Sequence, residues 1–517
     1  MTKRQYSKII VLDFGSQYTQ LIARRVREAK VYSEIVDSAI PVSELKQHDP
    51  AGIILSGGPA SVDDTDAPVC DAAIFDLGVP VLGICYGFHY MTKLFGGEVV
   101  RSGGREYGRA DVSVVMPEDP LFEKVPATFQ AWMSHADEVV RLAPGFKTTA
   151  GSENVPQAAI WHPEKQLHGL QFHPEVVHTK HGKRIIRNFA RRICGCRGRW
   201  SAQAYIDETI QTLRDQIGDD KQVICGLSGG VDSSVAARLI QEAIGDRLTC
   251  IFVDNGLLRH NEANKLIEVF RQNLQIKVKH VDAENVFLQQ LEGITDPEEK
   301  RRIIGREFVE VFKNAAKSVE NATFLAQGTT YPDVIESSGI GKHAEVIKSH
   351  HNVGGLPKEL GFDLVEPLRL LFKDEVRKVG EELGLPTEMV WRQPFPGPGL
   401  AVRILGEVQK ERLELLRTAD RIVIQEMKDS GYYRKVWQSF AVLLPVQSVG
   451  VMGDGRTYEN TAVLRVVNST DGMTADWVRL PHALLGRIAT RITNEVKGIN
   501  RVVYDITSKP PGTIEWE

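Results

Sequence analysis

The chain has 517 residues, 42% of them hydrophobic and 25% charged, with a net charge of −4. That is an ordinary globular balance, and at about 150 residues per domain it makes roughly three domains. With a pI near 6.4, no stretch near the ~18 apolar residues of a membrane span and six cysteines, neither nucleic acid nor membrane is expected as a partner, and a reducing, cytoplasmic setting is expected.

The opening MTKRQYSKIIVLDFG runs into a strand of about four apolar residues, too short for the core of an export signal. IIVLDFG, GIILSGGP and PVLGICYG each read as a buried strand ending in Gly-rich punctuation, and helical patterns such as TQLIARRVREA and HYMTKLFGG follow. This alternation predicts a doubly wound parallel sheet. DVSVVM, EVVRLA, AAIWHP and LHGLQFHPE read as strands added to it. After the helix GKRIIRNFARRI, the basic turn Cys196 to Trp200 breaks the pattern.

A second α/β pattern then begins, with QVICGLSGGVDSS as strand, turn and helix start, and RLTCIFVDNG as the next strand. Beyond FLAQGTTYPDVIES, the long polar stretch SSGIGKHAEVIKSHHNVGGLPKELG is expected to be a lid or binding loop. RQPFPGPGLAVRIL opens the last third, followed by the helix QKERLELLRTADRIVIQEM and strands around FAVLLPVQSVGVM and TAVLRVV. The expected domains are 1–197 and 198–392, both doubly wound α/β, and a smaller α+β domain over 393–517. The charged runs Arg184 to Arg192 and Glu298 to Arg306 read as solvated helix faces. Cys70, Cys225 and Cys250 read as small packing hydrophobes. Cys194 and Cys196 lack the second Cys/His pair of a zinc site.

The sharpest local signal is Gly83-Ile84-Cys85-Tyr86-Gly87. Glycines on both sides of a nucleophile permit a tight strand-to-helix turn, and the helix N-terminus favours a thiolate, the form that attacks an amide carbonyl. A cysteine at a strand end is more often packing than chemistry. Here LQFHPE supplies a base, His173, with Glu175 two residues on to fix its tautomer. His89, four residues past Cys85, is the rival base but has no neighbouring carboxylate. Backbone N–H groups of Gly57, Gly58 and Tyr86, in and around Ser56-Gly57-Gly58-Pro59, are the candidate oxyanion donors. SGGP, GICYG and QFHPE together resemble the class I glutamine amidotransferases. That resemblance implies a Cys85–His173–Glu175 triad releasing ammonia from glutamine through a glutamyl thioester.

Ser228-Gly229-Gly230-Val231-Asp232-Ser233-Ser234 follows an apolar strand and opens a helix. Its glycine N–H groups can cradle a phosphate, and Asp232 can ligate Mg²⁺ beside it. The pattern is not a Walker loop. It resembles the pyrophosphatase loop of the N-type ATP pyrophosphatases, which implies cleavage of ATP to an adenylylated acceptor and pyrophosphate. Asp254, in the next strand-end turn, reads as a turn residue as readily as a ligand.

The acceptor rests on Arg301 to Phe308, Leu325 to Ser337, His350 to Pro357, Pro367 to Arg377 and Arg501 to Glu517. In this order they resemble the glutamine-hydrolysing GMP synthase family over essentially the whole chain. The resemblance implies xanthosine 5′-monophosphate as acceptor, nucleotide-binding roles for Arg301, Lys509 and Glu515, a phosphate contact for Lys373, and a homodimer through the third domain. The alternative is another glutamine-dependent ATP pyrophosphatase with a different acceptor. A glutamine-dependent NAD synthetase would carry a nitrilase-type domain, and a CTP synthase a different domain order and a Walker-type loop. A non-catalytic binding protein retaining both folds would have no need of Cys85, His173, Glu175 and Asp232 together.

Overall fold

The computed structural model describes residues 6–337, 361–452, 455–469, 472 and 474–517. Most of the expected lid, including His350 to Pro357, lies outside the described residues. The chain divides into two compact units, residues 6–205 with 331–337 and residues 206–330 with 361–517.

The strands of the first unit are β1 (Lys8–Asp13), β2 (Tyr32–Asp37), β3 (Pro50–Leu55), β4 (Val81–Ile84), β5 (Glu98–Val114), β6 (Thr128–Arg141), β7 (Lys147–Gly151), β8 (Ala159–His162) and β9 (Leu167–Leu170). Among the described residues they form one sheet in the order β2-β1-β3-β4-β9-β8-β7-β5-β6. From β2 to β9 the pairs are parallel, and beyond β9 antiparallel. The parallel strands are near-continuous apolar runs, the mark of a sheet covered on both faces: β4 is buried throughout, and β1 and β3 over four residues each. The carboxyl ends of β3, β4 and β9 lie side by side, and each runs straight into one of the three motifs: SGGP, Cys85 and QFHPE.

In the second unit, β10 (Gln222–Leu227), β11 (Leu248–Asp254), β12 (Lys277–Asp282), β13 (Ala322–Ala326) and β14 (Asp363–Val365) make a sheet in the order β12-β11-β10-β13-β14, parallel throughout. The order reverses direction between β10 and β13, the switch point at which open parallel sheets bind ligands. SGGVDSS leaves β10 there. Antiparallel β15 (Gln438–Met452), β16 (Gly455–Asn468) and β17 (Asp476–Trp477) form a second sheet, with β18 (Ile499–Tyr504) parallel to β16. One apolar core joins both sheets, from Ile224, Ile251 and Leu325 to Leu416, Leu443 and Leu464. Residue 393, expected to open a third domain, falls inside this compact unit. Among the described residues no helix is long and apolar enough to cross a membrane.

Candidate active site

Cys85 stands between the end of β4 and the helix Tyr86–Leu94, at φ 50° and ψ −105°. A side chain at positive φ costs of order 1–3 kcal/mol and persists where its surroundings over-determine it. Two glycines do so. A Cβ at Gly83 would stand 2.6 Å from the Gly87 carbonyl oxygen, and one at Gly87 would stand 2.6 Å from the Leu55 carbonyl oxygen. The Gly87 N–H donates to the Ser56 carbonyl at 3.0 Å, and the Cys85 N–H to the Leu170 carbonyl at 2.7 Å. The elbow is thereby tied to the ends of β3 and β9.

His173 follows β9, and its Nδ1 pairs with Glu175 Oε1 at 2.7 Å. Both are buried, Glu175 completely. The Cys85 thiol donates to the Ser134 carbonyl at 3.6 Å, and Cys85 lies close enough to the imidazole to act on its titration. Burial by itself pulls the His173 pKa down, but the Glu175 charge and Cys85 outweigh it and carry it well above the ordinary histidine value. Thr179 donates to the His173 carbonyl at 2.6 Å, and Arg25 Nε to the Glu175 carbonyl at 2.8 Å. These two contacts hold the H-P-E backbone, and sequence reading singles out neither residue. His89 points elsewhere: its Nε2 meets Gln171 Oε1 at 2.6 Å, and burial pulls its pKa down to about 4. The turn Ser56-Gly57-Gly58 lies against the imidazole, since a Cβ at Gly57 would come within 3.3 Å of His173 Cε1. Cys194 packs its sulfur into the space that a side chain at Gly52 would need.

In the second unit, Gly229 turns at φ +72°, where a Cβ would meet Leu266 at 2.8 Å and Arg392 at 3.0 Å. The serines hold the turn. Ser228 Oγ accepts the Gly230 N–H at 3.3 Å, and the Ser233 and Ser234 hydroxyls donate to the Gly230 carbonyl at 3.2 and 2.8 Å. Val231 opens the helix, and Asp232 stands in its first turn, paired with Lys373. Arg377, one turn beyond Lys373, has its pKa lowered by burial, which the charges of Asp232 and Asp374 partly offset. Arg392 donates to the Gly229 carbonyl at 2.9 Å and pairs with Glu262. Next to the loop, Arg377, Arg392, Arg434, Trp391 and Trp437 line a cavity of about 230 Å³. A cavity lined by several cations, one of them bonded to the turn, suits an anionic ligand.

Among the described residues no three His, Cys, Asp or Glu side chains gather as a metal cage. A single carboxylate beside a phosphate cradle is the donor set of magnesium carried in on a nucleotide, and Asp232 fits it. Asp254 acts as a turn residue, its carboxylate accepting the Gly256 N–H at 3.1 Å.

Arg301 and Glu515 both meet the tail contacts of the second unit. Arg301, on the helix Pro297–Lys317, donates to the Glu517 carbonyl. Glu515 receives Arg403 in a bidentate pair at 2.8 and 3.0 Å, and Gln438 at 2.7 Å. Lys509 donates to the Gly472 carbonyl at 2.8 Å. Sequence reading singles out neither Arg403 nor Gln438, because their partner lies 112 and 77 positions away.

Three family models match the chain in order: glutamine amidotransferase class-I over residues 10–193, NAD synthase over 204–310, and GMP synthase C terminal domain over 425–516. The glutamine-hydrolyzing GMP synthase of Caldanaerobacter subterraneus subsp. tengcongensis is 58% identical over 510 residues, covering 98% of this chain and 99% of that protein. That of Aquifex aeolicus is 57% identical over 513 residues, covering 99% and 100%. That of Nitratiruptor sp. is 58% identical over 516 residues, covering 98% and 99%. With an amidotransferase, an ATP pyrophosphatase and a GMP synthase C-terminal domain in this order, the chain belongs to the glutamine-hydrolysing GMP synthase family of ligases.

Proposed function

We propose that the protein converts xanthosine 5′-monophosphate, ATP, glutamine and water into GMP, AMP, pyrophosphate and glutamate. In the first unit, the Cys85 sulfur attacks the γ-amide of glutamine, and His173 hands its proton to the leaving nitrogen. Ammonia departs, and water activated by the now neutral His173 hydrolyses the thioester. Glu175 holds the imidazole orientation and stabilises its charge. The N–H groups of Gly57, Gly58 and Tyr86 receive the oxyanion.

In the second unit, the acceptor's carbonyl oxygen attacks the α-phosphorus of ATP and pyrophosphate leaves. Ammonia then adds to the activated carbon and AMP departs. Ser228 to Ser234 cradle the β- and γ-phosphates, and Lys373 moves from Asp232 to a phosphate oxygen. Magnesium bound with ATP at Asp232 would neutralise phosphate charge. Arg301, Lys509 and Glu515 belong to the acceptor site. We further infer a cytoplasmic homodimer joined through residues from about 393 onward, with the amidotransferase and pyrophosphatase functions divided near 197.

What supports the reading most is a buried imidazole paired with Glu175 at 2.7 Å, its pKa raised by both Glu175 and Cys85. The test is incubation with xanthosine 5′-monophosphate, Mg-ATP and glutamine. Formation of GMP, AMP and pyrophosphate is expected, and ADP in place of AMP would sink the pyrophosphatase assignment. Cys85→Ala is expected to lose glutamine-dependent synthesis and keep the ammonia-dependent reaction. Loss of both in a folded variant would contradict the division into two sites.

A further inference from the structure

The segment after β18, Asp505–Glu517, makes no helix or strand of its own beyond one bridge between Lys509 and Ala475. A segment without a ladder needs other partners for its backbone carbonyls. Three cations with no exposed surface hold the segment, Arg465 through its backbone carbonyls and Arg403 and Lys300 through its side-chain carboxylates. Arg465, on β16, donates to the carbonyls of Thr507 at 2.6 Å, Thr513 at 2.9 Å and Ile514 at 3.4 Å. Arg403 stacks 4.0 Å over the Phe440 ring and forks onto the Glu515 carboxylate. Lys300 reaches the Ile404 carbonyl at 2.8 Å and the Glu517 carboxylate, whose other oxygen accepts the Gly406 N–H at 3.2 Å.

A buried ion pair is weak evidence for stability, because an apolar pair of similar volume is often as stable or more so, so its presence points to a role in specificity. Lys300 is also the immediate neighbour of Arg301, which donates to the Glu517 backbone. One anchor therefore fixes both the tail and the helix position from which Arg301 acts.

We propose that Lys300 and Glu517 are positioning residues for the acceptor nucleotide: their buried ion pair locks the tail so that Arg301, Lys509 and Glu515 meet the acceptor in one arrangement. Neither residue touches the reacting atoms. The inference rests on the acceptor assignment above and deepens it. A misplacement of about 1 Å in a binding constellation can cost up to about a hundredfold, and here the cost falls on acceptor binding.

The experiment uses the full chain and the ammonia-dependent reaction, with KM measured separately for xanthosine 5′-monophosphate and ATP. Glu517→Gln and Lys300→Met are each expected to raise the acceptor KM about tenfold or more, with kcat changed by less than about threefold. The ATP KM and the glutaminase rate should hold. Each single variant strands one buried charge. The double variant Lys300→Met/Glu517→Gln strands neither and is expected to recover most of the acceptor KM. An unchanged acceptor KM in either folded single variant overturns the proposal. So does a parallel rise in the ATP KM, which marks general loosening, or a double variant no better than the singles. If the wild type aminates a different nucleotide, the acceptor assignment fails alone, and the same variants then read the anchor through the KM of that nucleotide.

Discussion

At the scale of single residues, His173 carries the clearest consequence. Burial and the Glu175 charge act on its imidazole in opposite directions, and the charge, with Cys85, prevails. The imidazole must hold a proton to hand to the leaving nitrogen, so the alkaline limb of the glutaminase profile is expected to report loss of that proton. Glu175→Gln keeps the shape and removes the charge, leaving burial opposed chiefly by Cys85. The alkaline limb is expected to move to lower pH, read from glutamate release against pH with the ammonia-dependent synthesis as control. A limb that stays in place would take Glu175 out of this role. In the other unit, Asp232→Ala is expected to abolish amination with either nitrogen source while glutamine hydrolysis survives; survival of the ammonia reaction would remove Asp232 from the metal role. The candidate residues Cys85, His173 and Glu175 were legible in the chain because each sits in a short local pattern, an elbow or an H-P-E. Lys300 was not. It lies within Glu298 to Arg306, a charged run that reads as a solvated helix face, yet its side chain is fully buried on a partner 217 positions away. Sequence spacing on one helix carries no trace of such a partner.

At the scale of elements, both sites depend on strand-to-helix turns that only glycine can make. In Gly87→Ala, the new methyl would stand 2.5 Å from Leu55 Cβ and 2.6 Å from its carbonyl oxygen. Backbone cannot yield as a flexible side chain does, so the cost is expected to be about 1–3 kcal/mol. The expected result is a lower melting temperature with glutaminase lost and ammonia-dependent synthesis retained. Gly305 is the contrast. It sits on the exposed side of the helix Pro297–Lys317 with nothing within 4 Å of an added Cβ, so Gly305→Ala is expected to stabilise by about 0.5–1 kcal/mol. Thermal denaturation of both variants compares them directly, and equal shifts would mean that the elbow is not the tight element. Periodicity found the parallel strands β1, β3, β4, β10 and β11 because their apolar runs are continuous. It did not find β7, whose sequence KTTAG is half polar and becomes a strand by pairing with β5 and β8.

At the scale of the whole molecule, the order of motifs pointed to three domains, and three family models match in that order, while by packing the second and third share one compact unit. The reason is physical: Leu416, Leu443 and Leu464 from the last third complete the same core as Ile224 and Ile251, and composition cannot reveal which cores merge. The β15–β16 hairpin has two contrasting ends. Near its base, Phe440, Val442 and Val463 are fully or almost fully buried. Toward its tip, Val446, Val449, Val451 and Tyr458 are 55%, 46%, 78% and 58% exposed, with Val449 directly opposite Tyr458. A row of β-branched and aromatic side chains exposed on a two-stranded arm suits a surface that another chain would cover, and in the proposed homodimer a second copy would bring an identical row to meet it about a two-fold axis. Val449→Asp/Val451→Asp places charge in the middle of that row without touching the buried half of the hairpin. Sedimentation is expected to show the wild type as a dimer and this variant as a monomer, with glutaminase activity unchanged because Cys85, His173 and Glu175 all lie in the first unit. A variant that remains dimeric at micromolar concentration would move the interface off this hairpin.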